Sequence, residues 1–237
     1  MKKLIALILL CGTLQIANAQ LFSKEKILHN ENFDKPFLSW GYYLGFNSYD
    51  YKFEYNEDKP DILVTSSIGF NVGLIGNMRI NDYFDLRLEP GLVITNRELS
   101  YDESYFAGTT FTEADLIREV KSTYIHFPLL VKFSSRRLNN FKPFLEGGVS
   151  AALNLASNED NPNDNASGQF RTKKNVFFYE LGFGIDFYLE YFKFTPSIRG
   201  VFALNDELVR DDEPDSPWTG NVTSMKTRGI FINFTFQ

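Results

Sequence analysis

Residues 179–204 read YELGFGIDFYLEYFKFTPSIRGVFAL and alternate between two kinds of side chain. One set is apolar and comprises Leu181, Phe183, Ile185, Phe187 and Leu189. The intervening set comprises Glu180, Gly182, Gly184 and Asp186. A repeat of two residues is the period of a β-strand, because successive side chains of a strand point to opposite faces. This strand therefore needs an apolar environment on one face and a polar, narrow one on the other.

The same alternation recurs along the chain and predicts eight β-strands. The predicted strands are 40–53, 67–80, 84–97, 120–133, 142–155, 176–189, 192–204 and 227–236. The connections after the second, fourth and sixth strands are short (81–83, 134–141, 190–191), and those after the others are long (54–66, 98–119, 156–175, 205–226). Short turns at one end and long polar loops at the other are typical of outer-membrane barrels. We therefore predict an all-β fold, an eight-stranded antiparallel transmembrane β-barrel with short periplasmic turns and long extracellular loops.

A soluble barrel such as a lipocalin is the alternative, and its alternation would be reversed, with apolar side chains inside. In this chain the face opposite the apolar one is polar in almost every predicted strand. The strands are also long enough for a tilted crossing of a bilayer, which takes about 9–11 residues. Lipid outside and paired charges inside would satisfy both faces, so these features favour the membrane barrel.

The first residues have the pattern of an export signal. MKK is positively charged, LIALILLCGTLQIA is too short to span a bilayer as a helix, and Ala17 and Ala19 supply small residues for cleavage. We predict a signal peptide over 1–19 cleaved after Ala19, a periplasmic lead-in over 20–38, and the barrel over 39–237. An uncleaved anchor is the less favoured alternative because the apolar run is short. Cleavage would remove Cys11, the single cysteine of the chain.

Composition agrees with a location in the outer membrane of a Gram-negative bacterium and with no nucleic-acid partner. The formal net charge is −6 and the pI is about 5.1, so no basic surface for a polyanion is indicated. Aromatic residues make up 16% of the chain, and a membrane barrel places them in a belt at the membrane–water boundary. The belt predicted near the periplasmic rim comprises Trp40, Tyr83, Phe141, Tyr188, Tyr191, Phe192 and Phe236.

Charged residues on the polar faces are predicted to form a structural network in the lumen. An eight-stranded barrel is just wide enough for its own side chains, and buried charges persist when they are paired. A proton path or a selectivity ring is the functional alternative. The predicted network comprises Arg79, Asp85, Arg87, Glu89, Arg97, Glu146, Glu180, Asp186, Lys193 and Arg199.

Catalytic, metal and cofactor sites are not indicated by the sequence. The two histidines, His29 and His126, have no partner at a spacing typical of a catalytic or metal site. The loop NEDNPNDNAS at 158–167 is rich in calcium-type ligands but lacks the spacing and the glycine of an EF-hand. We therefore expect no enzymatic activity, no cofactor, no metal and no small-molecule substrate.

Several stretches resemble the PorT (SprT) family of the Bacteroidetes type IX secretion system. They are REVKSTYIHFPLLVKFSSRRLNNFKPFLEGGVS, YELGFGIDFYLEYFKFTPSIRGVF, SPWTGN and FLSWGYYLGFNSYDYKF. The resemblance extends from about Phe33 to Gln237 and implies an integral outer-membrane component. In that family the component is required for export of proteins with C-terminal sorting signals, and for gliding motility where gliding occurs. It implies outer-membrane lipid and other type IX components as partners, and no catalytic residues. The chain departs from a generic barrel by ending in Gln237 after Phe236.

A lumen filled by side chains would not pass a folded cargo, so the sequence predicts an accessory or assembly factor and not the conduit. Its surfaces would then carry the function, and we select Arg136 and Arg137 in the turn 134–141 as the candidate periplasmic contact. The alternative is a stand-alone small barrel for adhesion or envelope integrity. Sequence physics does not separate these two functions, and only the family resemblance favours the first.

Overall fold

The computed structural model describes residues 28–162, 165 and 168–237. The predicted signal peptide, its cleavage site after Ala19 and the first part of the lead-in, 20–27, lie outside these residues. No helix in the described part of the chain is long and apolar enough to cross a membrane.

Ten antiparallel strands make up almost all of the regular structure. They are β1 (Leu38–Tyr55), β2 (Leu63–Ser66), β3 (Ile68–Arg79), β4 (Phe84–Leu88), β5 (Gly91–Ser100), β6 (Ile117–Ser134), β7 (Phe141–Asn154), β8 (Asn175–Tyr188), β9 (Lys193–Ala203) and β10 (Val222–Phe236). Two single-turn 3₁₀ helices, Glu103–Phe106 and Glu113–Leu116, lie in the loop between β5 and β6.

The ten strands occupy eight positions of a closed ring. Each ring position pairs with the positions before and after it in sequence, and β1 pairs with both β10 and β3, which closes the barrel. β2 and β3 share one position and are separated at Ser67, whose N–H donates to the Asn96 carbonyl at 3.1 Å. β4 and β5 share another and are separated by Glu89 and Pro90, where the proline has no N–H for the ladder. The prediction of an eight-stranded antiparallel barrel is confirmed, and the structure adds two interruptions.

The two faces of the strands point as the alternation predicts. On β8, Leu181 is 62% exposed and Phe183 is 56% exposed, whereas Glu180 and Asp186 are each 1% exposed. Apolar side chains therefore cover the outside of the barrel, where they match a hydrocarbon surrounding. On β1 the outward side chains change from Phe46 to Ser48, Asp50, Lys52 and Glu54. The strands thus continue beyond the apolar band at the end that carries the long loops.

The long loops fold over the extracellular end and do not leave it open. Their buried apolar residues form one packed cluster with the strand ends, here called the extracellular core. It comprises Tyr51, Ile62, Leu99, Tyr101, Tyr105, Phe106, Val120, Phe170, Leu208, Val222 and Met225. A buried carboxylate, Asp211, joins two of the loops because it accepts hydrogen bonds from Ser216 Oγ at 2.6 Å and Asn165 Nδ2 at 3.0 Å. The closure is therefore built by apolar packing and by polar pairing.

The aromatic belt at the short-turn end agrees with the prediction except at one residue. Trp40 and Tyr191 are 72% and 85% exposed on the outside. Tyr188 is 1% exposed and lies inside, so its assignment to the belt was wrong. Tyr188 shares the parity of Asp186 on β8, and this parity places it on the inward face.

Candidate functional site

Arg199 of β9 is the centre of the charged lumen. Its guanidinium reaches three carboxylates: Glu146 Oε1 lies 2.8 Å from Nη2, Glu89 Oε2 lies 2.7 Å from Nη2, and Glu180 Oε2 lies 3.2 Å from Nη1. Arg199 Nε also donates to Glu146 Oε1 at 3.0 Å, so two nitrogens of the guanidinium share this oxygen. The three acids come from β7, β8 and the break between β4 and β5, so one side chain ties together distant parts of the wall.

Arg87 of β4 extends the same network. Its Nη1 lies 3.2 Å from Glu146 Oε2, and its Nη2 lies 3.3 Å from Glu89 Oε1. Each of these two carboxylates therefore bridges both arginines. All four side chains are almost completely buried, so each charge depends on the others for compensation.

His126 of β6 joins the network through Glu180. Its Nε2 lies 2.9 Å from Glu180 Oε1 and 2.9 Å from Ser150 Oγ. The ring also lies edge-on to Phe178 and to Phe231, at centroid distances of 6.0 Å. A histidine packed on two aromatic rings and paired with an acid fits a structural role, since the contacts fix its position.

A second group of charges lies closer to the periplasmic end and is centred on Asp186. Lys132 Nζ lies 2.6 Å from Asp186 Oδ2, and Thr195 Oγ1 donates to Asp186 Oδ1 at 2.7 Å. Lys193 Nζ is 4.0 Å from the same carboxylate. The ammonium of Lys132 also lies 4.0 Å from the centre of the Phe144 ring, so ring and ion fill this level of the lumen together.

Arg97 of β5 is buried near the extracellular end in a different environment. Its guanidinium lies 3.8 Å from the centre of the Tyr51 ring and donates to Ser122 Oγ at 2.8 Å. It also donates to Thr227 Oγ1 at 3.0 Å and to Tyr124 Oη at 3.1 Å. Three hydroxyl groups and a ring face thus contact this cation, while its buried Nε has no hydrogen-bond partner within the described residues.

Inward glycines make room for the large rings of the lumen. A Cβ on Gly91 would lie 2.1 Å from Tyr43 Oη, and one on Gly184 would lie 2.5 Å from Phe144 Cζ. Tyr43 and Phe144 are themselves 3% and 4% exposed. The lumen is therefore filled at several heights by a ring set against a glycine, which is how a small barrel fits its interior.

Most of the predicted network residues lie in the lumen, but two do not reach it. Arg87, Glu89, Arg97, Glu146, Glu180, Asp186, Lys193 and Arg199 are buried inside. Placing Arg79 in the lumen was wrong, because its side chain is 31% exposed at the periplasmic rim and pairs with Asp82 in the β3–β4 turn. Asp85 is half-buried directly opposite Arg79 on the same rim, as the second residue of β4.

The predicted network also omitted three buried partners. His126, Lys132 and Lys142 all lie on inward faces, and each of them contacts a carboxylate. The alternation of β6 and β7 already places them on the polar face, so the sequence carried the signal. Their partners could not be assigned from the sequence, since those lie on other strands.

The turn between β6 and β7 holds the two arginines selected as a periplasmic contact. Arg136 donates from Nε to Tyr83 Oη at 2.8 Å and is exposed. Arg137 instead binds this chain's own lead-in, because it donates to the carbonyls of His29 and of Asn30, the latter at 3.2 Å. Its guanidinium also lies 3.8 Å from the centre of the Tyr188 ring. The two neighbouring arginines thus have different surroundings.

The described residues contain no group of three or more His, Cys, Asp or Glu side chains arranged to hold a metal ion. Chemically, the lumen is a set of paired charges that link strands of the wall.

Comparison with known proteins places this geometry among outer-membrane barrels. The family described as outer membrane protein beta-barrel domain matches residues 18–209. No curated protein matches the chain. Similar solved structures include OprG from Pseudomonas aeruginosa (16% identity, 84% of this chain, 93% of that chain, TM-score 0.43). Another is Ail of Yersinia pestis in complex with the heparin analogue sucrose octasulfate (12% identity, 83% of this chain, 96% of that chain, TM-score 0.38). A third is AlkL in DMPC bilayers (9% identity, 90% of this chain, 93% of that chain, TM-score 0.46).

Proposed function

We propose that this protein is a closed barrel that acts through its end surfaces and not as a conduit. The premise is that the chain belongs to the outer membrane protein beta-barrel domain family. The outer membrane is its location. One observation supports the closed barrel most directly: Arg199 spans the lumen and binds Glu89, Glu146 and Glu180 from three different segments of the wall. A lumen crossed by such contacts has no room for a polypeptide.

The specific function that the sequence resemblance favours is an accessory or assembly role in type IX secretion. In this role the barrel would take part in exporting proteins with C-terminal sorting signals, and in gliding motility where the organism glides. Its partners would be outer-membrane lipid and other type IX components. The support is the likeness of the quoted stretches to the PorT (SprT) family, together with a filled lumen that fits an accessory better than a channel.

A stand-alone barrel for adhesion or envelope integrity is the second candidate. The family match fits it without a further assumption, whereas the secretion role depends on the resemblance alone. The folded extracellular end also favours it, because the buried cluster around Phe106 and Tyr101 holds the long loops in a fixed arrangement above the strands. For either role we propose that the protein is not an enzyme, since the lumen histidine is held by structural contacts.

Gene deletion followed by comparison of the secreted and surface proteins separates the two candidates. For the type IX role, proteins with C-terminal sorting signals should accumulate in the periplasm of the deletion strain, and wild-type complementation should restore their export. Barrel levels in the complemented strain should be matched to wild type by quantitative blotting. Unchanged export combined with reduced attachment or increased detergent sensitivity would support the second candidate and reject the first.

A further inference from the structure

The described part of the lead-in, residues 28–37, lies across the periplasmic mouth of the barrel, and we call it the cap. Its backbone and side chains are tied to three turns or strand ends. His29 N–H donates to Asn140 Oδ1 at 3.0 Å, Asn30 Nδ2 donates to the Leu189 carbonyl at 2.9 Å, and Phe37 accepts from Arg79 N–H at 2.9 Å. The cap is thus a defined structure docked on the barrel.

Asp34 is the side chain by which the cap contacts the inside of the mouth. Its carboxylate accepts a hydrogen bond from Tyr188 Oη and lies 3.5 Å from Lys142 Nζ and 3.9 Å from Lys193 Nζ. These three barrel side chains are 1%, 8% and 4% exposed. Three buried polar groups therefore converge on one carboxylate supplied from outside the wall.

The charges of the lumen explain why a carboxylate is needed there. Five buried cations take part in the lumen ion pairs, namely Arg87, Arg199, Lys132, Lys142 and Lys193. Four buried carboxylates face them, namely Glu89, Glu146, Glu180 and Asp186. Asp34 supplies the fifth carboxylate, at the periplasmic end where two lysines meet. Buried cations without an anion are costly, so this mouth favours an acidic occupant.

The residue before Asp34 adds a second recognition element. The Phe33 ring packs edge-on against Tyr188 at a centroid distance of 6.4 Å, and Lys193 Nζ lies 4.7 Å from the centre of the Phe33 ring. The mouth therefore binds an aromatic ring followed by a carboxylate. A cavity of about 340 Å³ adjoins Asp34, Glu31 and Lys142, so the site is reachable from the periplasm.

We propose that the cap is releasable and that Phe33 and Asp34 occupy a peptide site, which takes an aromatic–acidic segment of a periplasmic partner protein in their place. The cap is held mainly by polar contacts at a water-facing end, and Glu31, Asn32 and Lys35 are exposed. A partner segment with the same two side chains would restore the contacts that release of the cap removes, so exchange would need little net free energy. This holds whichever outer-membrane role the chain serves.

The first test measures hydrogen exchange of the cap in the full-length protein in detergent. Asp34→Asn keeps the shape of the side chain and removes its charge, so amides of residues 28–37 should exchange faster than in wild type. Lys35→Gln, which removes an exposed charge of the same segment, is the matched control and should leave exchange unchanged. Heat-modifiable gel migration verifies that the barrel is intact. If Asp34→Asn destabilises the barrel, Phe33→Ala provides a second release variant. Unchanged cap exchange in an intact release variant would overturn the proposal.

The second test measures binding of a labelled synthetic peptide of residues 28–37 by fluorescence anisotropy. The peptide should bind the Asp34→Asn protein at least about tenfold more tightly than wild type, because the wild-type site is occupied by its own cap. The same peptide with Asn in place of Asp34 should lose that binding. Equal binding to the two proteins, or equal binding of the two peptides, would show that no acidic-peptide site is uncovered.

Discussion

At the scale of single residues, the lumen shows how buried charges are retained by sharing. Glu146 contacts both Arg87 and Arg199, and its own side chain is completely buried. Removing one member of such a set leaves the others without compensation in a poorly solvated space. Arg97 is a buried arginine that instead contacts hydroxyl groups and the face of Tyr51.

Replacing Glu146 with alanine is expected to destabilise the barrel by about 3–5 kcal/mol, because two buried arginines lose a shared partner. Urea unfolding in detergent micelles, followed by heat-modifiable migration, measures the change. Glu54→Ala is the matched control: Glu54 is 53% exposed and pairs only with the exposed Lys52, so a change below about 1 kcal/mol is expected. Wild-type stability of Glu146→Ala would show that the network is not needed for folding.

At the scale of elements, the loops of the extracellular end are held by the strands beneath them. Glu207, in the connection between β9 and β10, is fully buried and accepts the N–H of Thr227 at 2.8 Å. Burial raises the pKa of Glu207 above its ordinary value, and this effect outweighs the opposing influence of Arg97. The folded protein therefore favours the protonated carboxyl.

This pKa shift predicts that the connection between β9 and β10 becomes less stable as the pH rises. Stabilisation from protonated Glu207 is complete below its ordinary pKa of 4.5 and is lost as the pH rises through the raised value. Limited proteolysis of the 205–221 connection between pH 4 and pH 8 should show this loss in wild type and a flatter profile in Glu207→Gln. Glu213→Gln, an exposed carboxylate of the same loop, should retain the wild-type profile. A wild-type profile in Glu207→Gln would assign the pH dependence to other groups.

At the scale of the whole molecule, the barrel is filled or covered at every level that the structure describes. The extracellular core covers one end, charge clusters and rings fill the lumen, and the cap covers the periplasmic mouth. An eight-stranded barrel encloses just enough space for its own side chains, whereas aqueous channels use roughly twice as many strands. This filling is the basis on which we propose a role for the end surfaces and not transport through the barrel.

Purified protein in planar lipid bilayers is expected to show no stable conductance of a size that would pass a polypeptide. The Asp34→Asn variant is expected to behave in the same way, because the lumen contacts of Arg199 remain when the cap is released. A known large porin reconstituted in the same lipid serves as the positive control. Large open channels in the wild-type protein would reject the closed-barrel proposal.

The sequence by itself determined the fold class, the facing of the strands and the end at which the long loops lie. These follow from a local repeat of two residues and from the lengths of the connections, and neither depends on distant parts of the chain. Only the tertiary structure decided which charges pair, since Arg199 meets carboxylates whose positions depend on the register of several strands. It also decided the breaks at Ser67 and Pro90 and the docking of the lead-in. The lead-in has no periodic pattern, and its position depends on contacts with distant segments. Among them is the Asp34 carboxylate, which meets two lysines and a tyrosine from three strands.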